Sequence, residues 1–286
     1  MMDRRELLST AVTLGAASMI GLESVFSKEQ AELPAKIVDT NISLFQWPFR
    51  RLPLDESATL VKKFRTLGIT EAWAGSFEGI LHRDIAGVNQ RLAKTCELYP
   101  ELVPIGSVNP ELPDWEDDLR RCVEQHKMPG IRLHPNYHGY TLADPKFDQL
   151  LKLATKAQVF VQIAAILEDT RTQHPMLQVP DVDLSPLPDL MRKNARAKVQ
   201  ILNYRPNQLF GKLAKTPGIF FDTSRVESTD GIAKLLKGGA GNRLMFGTHA
   251  PFLIPESALI HTFESDLDAT ELRSLLWKNA ERIQNS

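Results

Sequence analysis

The chain has 286 residues and a formal net charge of −1. A charge so close to zero provides no electrostatic basis for nucleic-acid binding, so we expect no nucleic-acid partner. Hydrophobic residues make up 43% of the chain, which is enough for a large core. The length suits one barrel domain of about 250 residues or two smaller domains.

The first 33 residues differ in character from the rest. Arg4 and Arg5 precede residues 7–22, an uncharged and mostly apolar stretch that is rich in small residues. This stretch is typical of a signal-peptide hydrophobic region and is short for a membrane span. The run DRRELLS resembles a twin-arginine export signal, which predicts a periplasmic or otherwise exported protein. The alternative is an amphipathic N-terminal helix, and the sequence leaves open whether the leader is cleaved.

Eight stretches have the apolar or β-branched character of buried strands. They are residues 36–43, 68–74, 103–110, 130–135, 159–165, 198–204, 219–224 and 243–252. Helical periodicity follows each of them, at residues 55–67, 84–99, 115–126, 145–157, 187–196, 207–215, 230–237, 255–264 and 269–283. Asp55 is well placed to cap the first helix. We expect no membrane span after the leader.

Strands that alternate with helices predict parallel βαβ units, and eight of them predict a closed barrel. No glycine-rich phosphate-binding motif follows any strand. We therefore assign residues 1–33 to the leader and residues 36–286 to one α/β domain, a single (β/α)₈ TIM barrel. Cys96 and Cys122 fall on two successive predicted helices and are too few for a disulfide framework or a thiolate metal site. We expect both to be buried apolar residues rather than a bridged pair.

In such a barrel the C-terminal strand ends converge on one face, here called the barrel mouth. Polar residues occur at these ends in nearly every strand. They are Asp39, Asn41, Ser43, Ser76, Glu78, Asn109, Arg132, His134, Gln162, Asn203, Tyr204, Asp222, Ser224, Arg225 and His249. A ligand pocket is the simplest explanation of so many converging polar groups.

Five runs spread along the chain, IVDTN, RLHP, FFDTS, FGTHAPF and NAERI, resemble one known family. It is the amidohydrolase-related (amidohydrolase 2) group of the metal-dependent hydrolase superfamily, and the resemblance extends over residues 36–283. The group includes hydrolases and decarboxylases of the aminocarboxymuconate-semialdehyde type. The resemblance therefore implies a barrel enzyme that acts on a small molecule.

The metal ligands implied by that family are largely substituted. The family has D-x-H-x-H on the first strand, where Asn41 and Ser43 replace the two histidines here. Gln162 stands where the family has a histidine after the fifth strand, and His249 replaces the carboxylate after the eighth. On the sixth strand, Asn203 or Tyr204 occupies the position of another frequent histidine.

Amide and hydroxyl groups are weak zinc ligands, so we predict no metal ligand and no cofactor. A divalent metal such as zinc, relocated to other histidines, is the alternative. His134, His138, His174 and His249 would supply its ligands. No H-x-H or H-x₃-H pair lies on one predicted strand or helix, because His134 and His138 straddle a proline-containing loop.

His249 is the candidate general base, because the pKa of an unperturbed histidine lies closest to neutrality. Asp39 or Asp222 would orient it, and Arg132 or Arg225 would bind a substrate carboxylate. Each residue also has a structural interpretation: His249 as a hydrogen-bonded core histidine, Asp39 as an anchor for loop backbone, and Arg132 as an ion pair with Asp222 or Glu227.

The complete hypothesis has two groups of residues. The catalytic group is His249, Asp39 and Tyr204. The substrate-binding group is Asn41, Arg132, His134, His138, Gln162, Arg171, His174 and Arg225. Arg171 and His174 lie in the run EDTRTQHP, which is either a lid over the ligand or a solvated loop.

Two functions of different classes follow. The first is an amidohydrolase-like hydrolase that acts on a small carboxylated or cyclic substrate without the usual metal site. The second is a catalytically inactive barrel that binds a ligand or serves as a scaffold. A lyase using arginine and histidine acid–base chemistry is a third alternative. The sequence names neither the substrate nor the oligomeric state.

Overall fold

A computed structural model of the chain describes residues 36–285, and the predicted leader lies outside these residues. Within this range the backbone forms parallel strands that alternate with helices. The strands are β1 (Val38–Leu44), β2 (Glu71–Ser76), β3 (Leu102–Pro104), β4 (Gly106–Ser107), β5 (Gly130–Leu133), β6 (Phe160–Ala164), β7 (Val199–Leu202), β8 (Ile219–Asp222) and β9 (Leu244–Met245).

The strands close into one barrel, as predicted. Two ladders, β1-β2-β3 and β4 to β9, are joined at both seams. At one seam the Ile105 amide donates to the Ala74 carbonyl at 2.8 Å, and at the other the His249 amide donates to the Asn41 carbonyl at 2.8 Å. β3 and β4 are the two halves of the third barrel strand. The interruption follows Pro104, which has no N–H to donate to a ladder.

The helices surround the barrel or follow its strand ends. They are α1 (Ser57–Leu67), α2 (Glu78–Leu81), α3 (Ile85–Glu97), α4 (Trp115–Glu124), α5 (Pro135–His138), α6 (Pro145–Lys156), α7 (Leu187–Lys193), α8 (Phe210–Lys215), α9 (Gly231–Leu235), α10 (Pro255–Glu264), α11 (Ala269–Arg273) and α12 (Asn279–Asn285). α1 buries Leu60, Val61 and Phe64 and ends at Gly68, whose φ of 72° suits a glycine. No helix in residues 36–285 is long and apolar enough to span a membrane.

Three local predictions were wrong. Asp55 does not cap α1, because its carboxylate accepts hydrogen bonds from Arg51 and from the Leu52 amide, and Glu56 holds the cap position. The predicted last helix is divided by a π-helical turn at Ser274–Lys278. The loop predicted after the fourth strand contains the helical turn α5. Cys96 and Cys122 are both free and buried, which confirms that prediction.

The ends of the barrel interior are filled differently. Opposite the mouth, Trp73 stacks on Phe160 with ring centroids 4.8 Å apart. At the mouth, aromatic rings from the segments that follow four strands pack edge to face or at a tilt. We call this group the mouth cluster; it consists of Trp47, Phe49, Phe77, Tyr137 and Phe252. Trp47 contacts each of the other four at centroid distances of 5.4 to 6.3 Å.

Candidate functional site

A carboxylate–amide network joins the tips of β1, β7 and β8. The Asn41 amide group donates to Asp222 Oδ2 at 2.6 Å and to Asn203 Oδ1 at 2.7 Å. The Asn203 backbone amide donates to Asp222 Oδ1 at 3.1 Å, and the Ser224 hydroxyl lies 2.9 Å from the same oxygen. Asn203 can approach in this way because its backbone is left-handed, with φ of 57°. The four side chains are buried and satisfy one another.

Asp39 anchors the segment that follows β9. Its carboxylate accepts the Thr248 hydroxyl at 2.6 Å, the Thr248 amide at 3.0 Å and the Asn41 amide at 3.1 Å. Burial raises the pKa of Asp39 to about 7, although the three donors oppose that rise. Burial likewise raises the pKa of Asp222 to about 6. Asp39 therefore holds His249 through the neighbouring Thr248 backbone, and not by a bond to the imidazole.

Arg132 crosses the barrel interior. Its guanidinium donates to Gln162 Oε1 at 2.8 Å, to the Ile42 carbonyl at 2.6 Å, to Ser43 Oγ at 3.2 Å and to the Trp73 carbonyl at 3.3 Å. Burial lowers its pKa to about 10. These bonds take the place of the ion pair with an acidic partner that the sequence suggested. Arg132 and Gln162 thus connect β1, β2, β5 and β6 from the inside.

His249 is buried at the mouth, with a left-handed backbone φ of 57°. Its Nε2 lies 2.7 Å from the Leu167 carbonyl oxygen. A carbonyl oxygen only accepts, so Nε2 carries the hydrogen and Nδ1 retains its lone pair. Burial first, and then the charge of Arg225, lowers the pKa of His249 to about 3. The imidazole is therefore neutral at pH 7.

His134 and His138 form a second imidazole group. His134 caps the helical turn α5, so the pair has H-x₃-H spacing on one turn, which corrects the loop assignment made from the sequence. The ring centroids are 5.9 Å apart, and both Nδ1 atoms are buried without a hydrogen-bond partner. Burial lowers the pKa of His138 to about 4 and that of His134 well below its ordinary value.

Among the charged groups around His249, Arg225 has the largest effect on its pKa. Only 8% of its surface is exposed, and its Nε has no hydrogen-bond partner. Its closest acidic group is the exposed Glu227 carboxylate, 3.8 Å from Nη1. Burial first, and then the charge of Arg205, lowers the pKa of Arg225. A buried guanidinium with so little compensation favours an anion beside it.

Three predicted site residues do not take part in the hydrogen-bond network at the mouth. Tyr204 packs against Phe221, and its hydroxyl donates to Asn207 Oδ1 at 2.8 Å, so it does not join the network. Arg171 is an exposed side chain paired with a neighbouring aspartate. His174 stacks on Phe49 of the mouth cluster at 5.1 Å.

Two residues that were not predicted contribute to the mouth and to the barrel interior below it. Glu168, 3% exposed, pairs with Arg50 from the loop after β1. Gln200 accepts from Gln162 at 2.8 Å and donates to the Thr40 hydroxyl at 2.8 Å. Glu168 begins the polar loop three residues after the predicted fifth strand, and Gln200 is a polar residue inside a predicted strand, so both positions carried a signal in the sequence.

The profile of a family described as amidohydrolase matches residues 49–283. The fold is similar to that of 5-carboxyvanillate decarboxylase from Novosphingobium aromaticivorans complexed with manganese, with TM-score 0.70, 16% identity and coverage of 91% of this chain and 98% of that chain. It is also similar to 2,6-dihydroxybenzoate decarboxylase from Rhizobium, with TM-score 0.69, 13% identity and coverage of 87% and 98%. No curated protein sequence matches the chain. At these identities the structural similarity concerns the fold.

A metal ion of the kind bound in such a relative does not fit the residues present here. Asn41 directs amide N–H groups at Asp222 and Asn203, and the Ser43 hydroxyl lies against the Arg132 guanidinium. Across residues 36–285, no three histidine, cysteine or acidic side chains come together as a metal-binding group. The amide of Asn41 and the hydroxyl of Ser43 are thus already bonded to Asp222, Asn203 and Arg132, and such groups are poor ligands for a divalent metal.

Proposed function

Because the chain belongs to the amidohydrolase family and its mouth residues do not suit a metal ion, we propose that it is a metal-independent hydrolase for a small carboxylated or cyclic substrate. The proposal rests on one observation: a neutral imidazole, His249, with a free lone pair, lies under the electrostatic influence of Arg225, a buried and poorly compensated guanidinium.

Arg225 would bind the substrate carboxylate. A guanidinium binds a carboxylate through two parallel N–H···O bonds, and its unpartnered Nε is one of the donors required. The structural relatives act, by name, on carboxylated aromatic compounds, which supports a carboxylated substrate. Arg132 is unsuitable for this role, because its donors already bond to groups inside the barrel.

His249 would act as general base through Nδ1. Its pKa of about 3 in the free protein is too low for efficient proton abstraction at neutral pH. A bound carboxylate would offset the charge of Arg225 and raise that pKa, so the substrate itself would activate the base. The imidazole would take a proton from a water molecule while the water oxygen attacks the carbonyl carbon of the substrate. It would then return the proton to the leaving oxygen or nitrogen. Asp39 would position His249 through Thr248.

Ligand binding without turnover is the second candidate. It is favoured by the closed network of Asn41, Asn203 and Asp222, whose polar groups satisfy one another without any ligand. These groups have their hydrogen bonds without a substrate, whereas His134 Nδ1 and Arg225 Nε are buried without a hydrogen-bond partner.

The test uses the purified full-length chain, with metal content measured and a chelator-treated sample assayed in parallel. The substrates are carboxylated lactones and amides. We expect turnover that survives chelation, a loss of about 10² to 10⁴ in kcat for His249→Ala, and mainly a higher KM for Arg225→Gln. Tyr204→Phe is the matched control and should behave as wild type. Carboxylate binding without turnover would favour the binding module, and turnover dependent on stoichiometric zinc or manganese would overturn the proposal.

We further propose export through the twin-arginine leader, on the strength of Arg4 and Arg5 before the apolar stretch. A reporter enzyme fused after residue 35 should be exported with the wild-type leader and retained when both arginines are changed to lysine.

A further inference from the structure

One short segment at the mouth concentrates buried polar atoms without partners. His134 Nδ1, His138 Nδ1 and Tyr140 Oη are all buried and make no hydrogen bond to the protein. The rings follow one another in space, with centroids 5.9 Å apart for the two histidines and 6.5 Å apart for His138 and Tyr140. Buried polar groups without partners are uncommon, and three in one place require a partner of their own.

The hydrogen-bond role of His138 is determined by its backbone contact. Its Nε2 lies 3.1 Å from the Gly79 carbonyl oxygen, which only accepts, so Nε2 carries the hydrogen. Nδ1 of His138 is therefore an acceptor. Tyr140 offers a hydroxyl, since burial raises the pKa of that phenol and keeps it protonated. The segment thus presents a fixed acceptor, an imidazole of either tautomer at His134, and a hydroxyl donor.

The charges around the segment further restrict the kind of ligand group that can bind there. Both histidines are neutral at pH 7, because burial lowers each pKa, so they provide no positive charge for an anion. The charge of Arg132 also lowers the pKa of His134, whereas the charges of Glu111 and Asp144 raise the pKa of Tyr140. Charges of both signs therefore act on the segment, and an uncharged polar group suits it better than an ion of either sign.

We infer that His134, His138 and Tyr140 form a subsite for an uncharged group of the ligand that donates N–H or O–H, with a carboxamide as the best match. The carboxamide N–H would donate to the imidazole nitrogens, and its oxygen would accept from the Tyr140 hydroxyl. The inference rests on the proposed ligand-binding role of the mouth, but it does not require turnover. The ligand would carry its carboxylate at Arg225 and its donor group here.

The test compares two probes by calorimetry on the full-length chain at pH 7. Succinamate has a carboxylate and a carboxamide, and monomethyl succinate has the same carboxylate but an ester without a donor. We expect wild type to bind succinamate at least about tenfold more tightly, because the ester leaves the buried acceptors unpaired. His138→Gln keeps a donor for the Gly79 carbonyl but loses the acceptor at the Nδ1 position, so this preference should disappear. Tyr140→Phe should weaken it.

A direct readout of the same contact is the ¹⁵N shift of His138 Nδ1, which should move on addition of succinamate and not of the ester. Equal affinity for the two probes, as expected if internal water alone satisfies these atoms, overturns the inference, and so does failure of succinamate to bind. Stoichiometric zinc binding that His138→Gln abolishes would instead identify a metal site. Unchanged affinity of both probes in Arg225→Gln would contradict the carboxylate part of the proposed function and leave the amide preference standing.

Discussion

The buried carboxylate of Asp39 makes a specific prediction about stability and pH. Burial raises its pKa from 3.8 to about 7 in the folded protein. Between these values the folded chain retains a proton that the unfolded chain has released. The stabilising contribution of protonated Asp39 is therefore fully present below about pH 4 and is lost as the pH rises to about 7.

The magnitude follows from the same shift. The difference between 3.8 and about 7, at about 1.4 kcal/mol per pH unit, amounts to about 4 kcal/mol of unfolding free energy. That is a large part of the stability of an ordinary domain. Asp222, with a pKa raised to about 6, should contribute a smaller change with the same sign.

Asp39→Asn isolates this effect, because asparagine resembles the protonated acid and does not titrate. Urea unfolding of wild type and variant would be measured at intervals from pH 4 to pH 8. We expect the stability of the variant relative to wild type to increase with pH by about 4 kcal/mol across this range, since only wild type has to bury the anion. Asp222→Asn should show the smaller increase. A wild-type-minus-variant difference that does not change with pH would refute the raised pKa and show that the three hydrogen bonds to Asp39 cancel the effect of its burial.

Three further predictions concern buried residues of the barrel and its surrounding core. Arg132→Met should destabilise the fold by about 3 to 5 kcal/mol in chemical denaturation, because it removes a buried guanidinium and leaves its acceptors unpaired; a cost below about 1 kcal/mol would contradict the described contacts. Gly75→Ala should cost about 1 to 3 kcal/mol, since the new Cβ would lie 2.6 Å from Arg132 Nη1, and this cost should be smaller in the Arg132→Met background. Tyr204→Phe should cost about 0.5 to 1.5 kcal/mol through the lost bond to Asn207, without changing ligand affinity; a large loss of affinity would return Tyr204 to the site.

The barrel was predictable because its signals are local. Apolar runs such as the one ending at Phe246 alternate with amphipathic stretches, and each run is long enough for one buried strand. The polar strand ends were predictable for the same reason, since Asp39, Asn41, Asp222 and His249 each stop or follow such a run. Closure then places these ends on one face.

The contacts between these ends were not predictable, because each joins residues far apart in the chain. Asn41 and Asp222 are separated by 181 positions. Tyr204 appeared to be a strand tip, but β7 ends at Leu202 and the left-handed turn at Asn203 redirects the next side chain into the core. Whether Arg132 pairs with an acid or with carbonyl groups depends on which strands lie opposite it in the closed barrel.

The sequence by itself determined a parallel eight-stranded barrel with polar strand ends, since periodicity and residue type act over a few neighbouring residues. Only the tertiary structure decided which polar groups are satisfied and which are left unpaired. The carbonyls of Gly79 and Leu167 set the tautomers of His138 and His249, and burial sets the protonation state of all three mouth histidines. Those properties belong to the surroundings of a side chain, and folding assembles the surroundings from the whole chain.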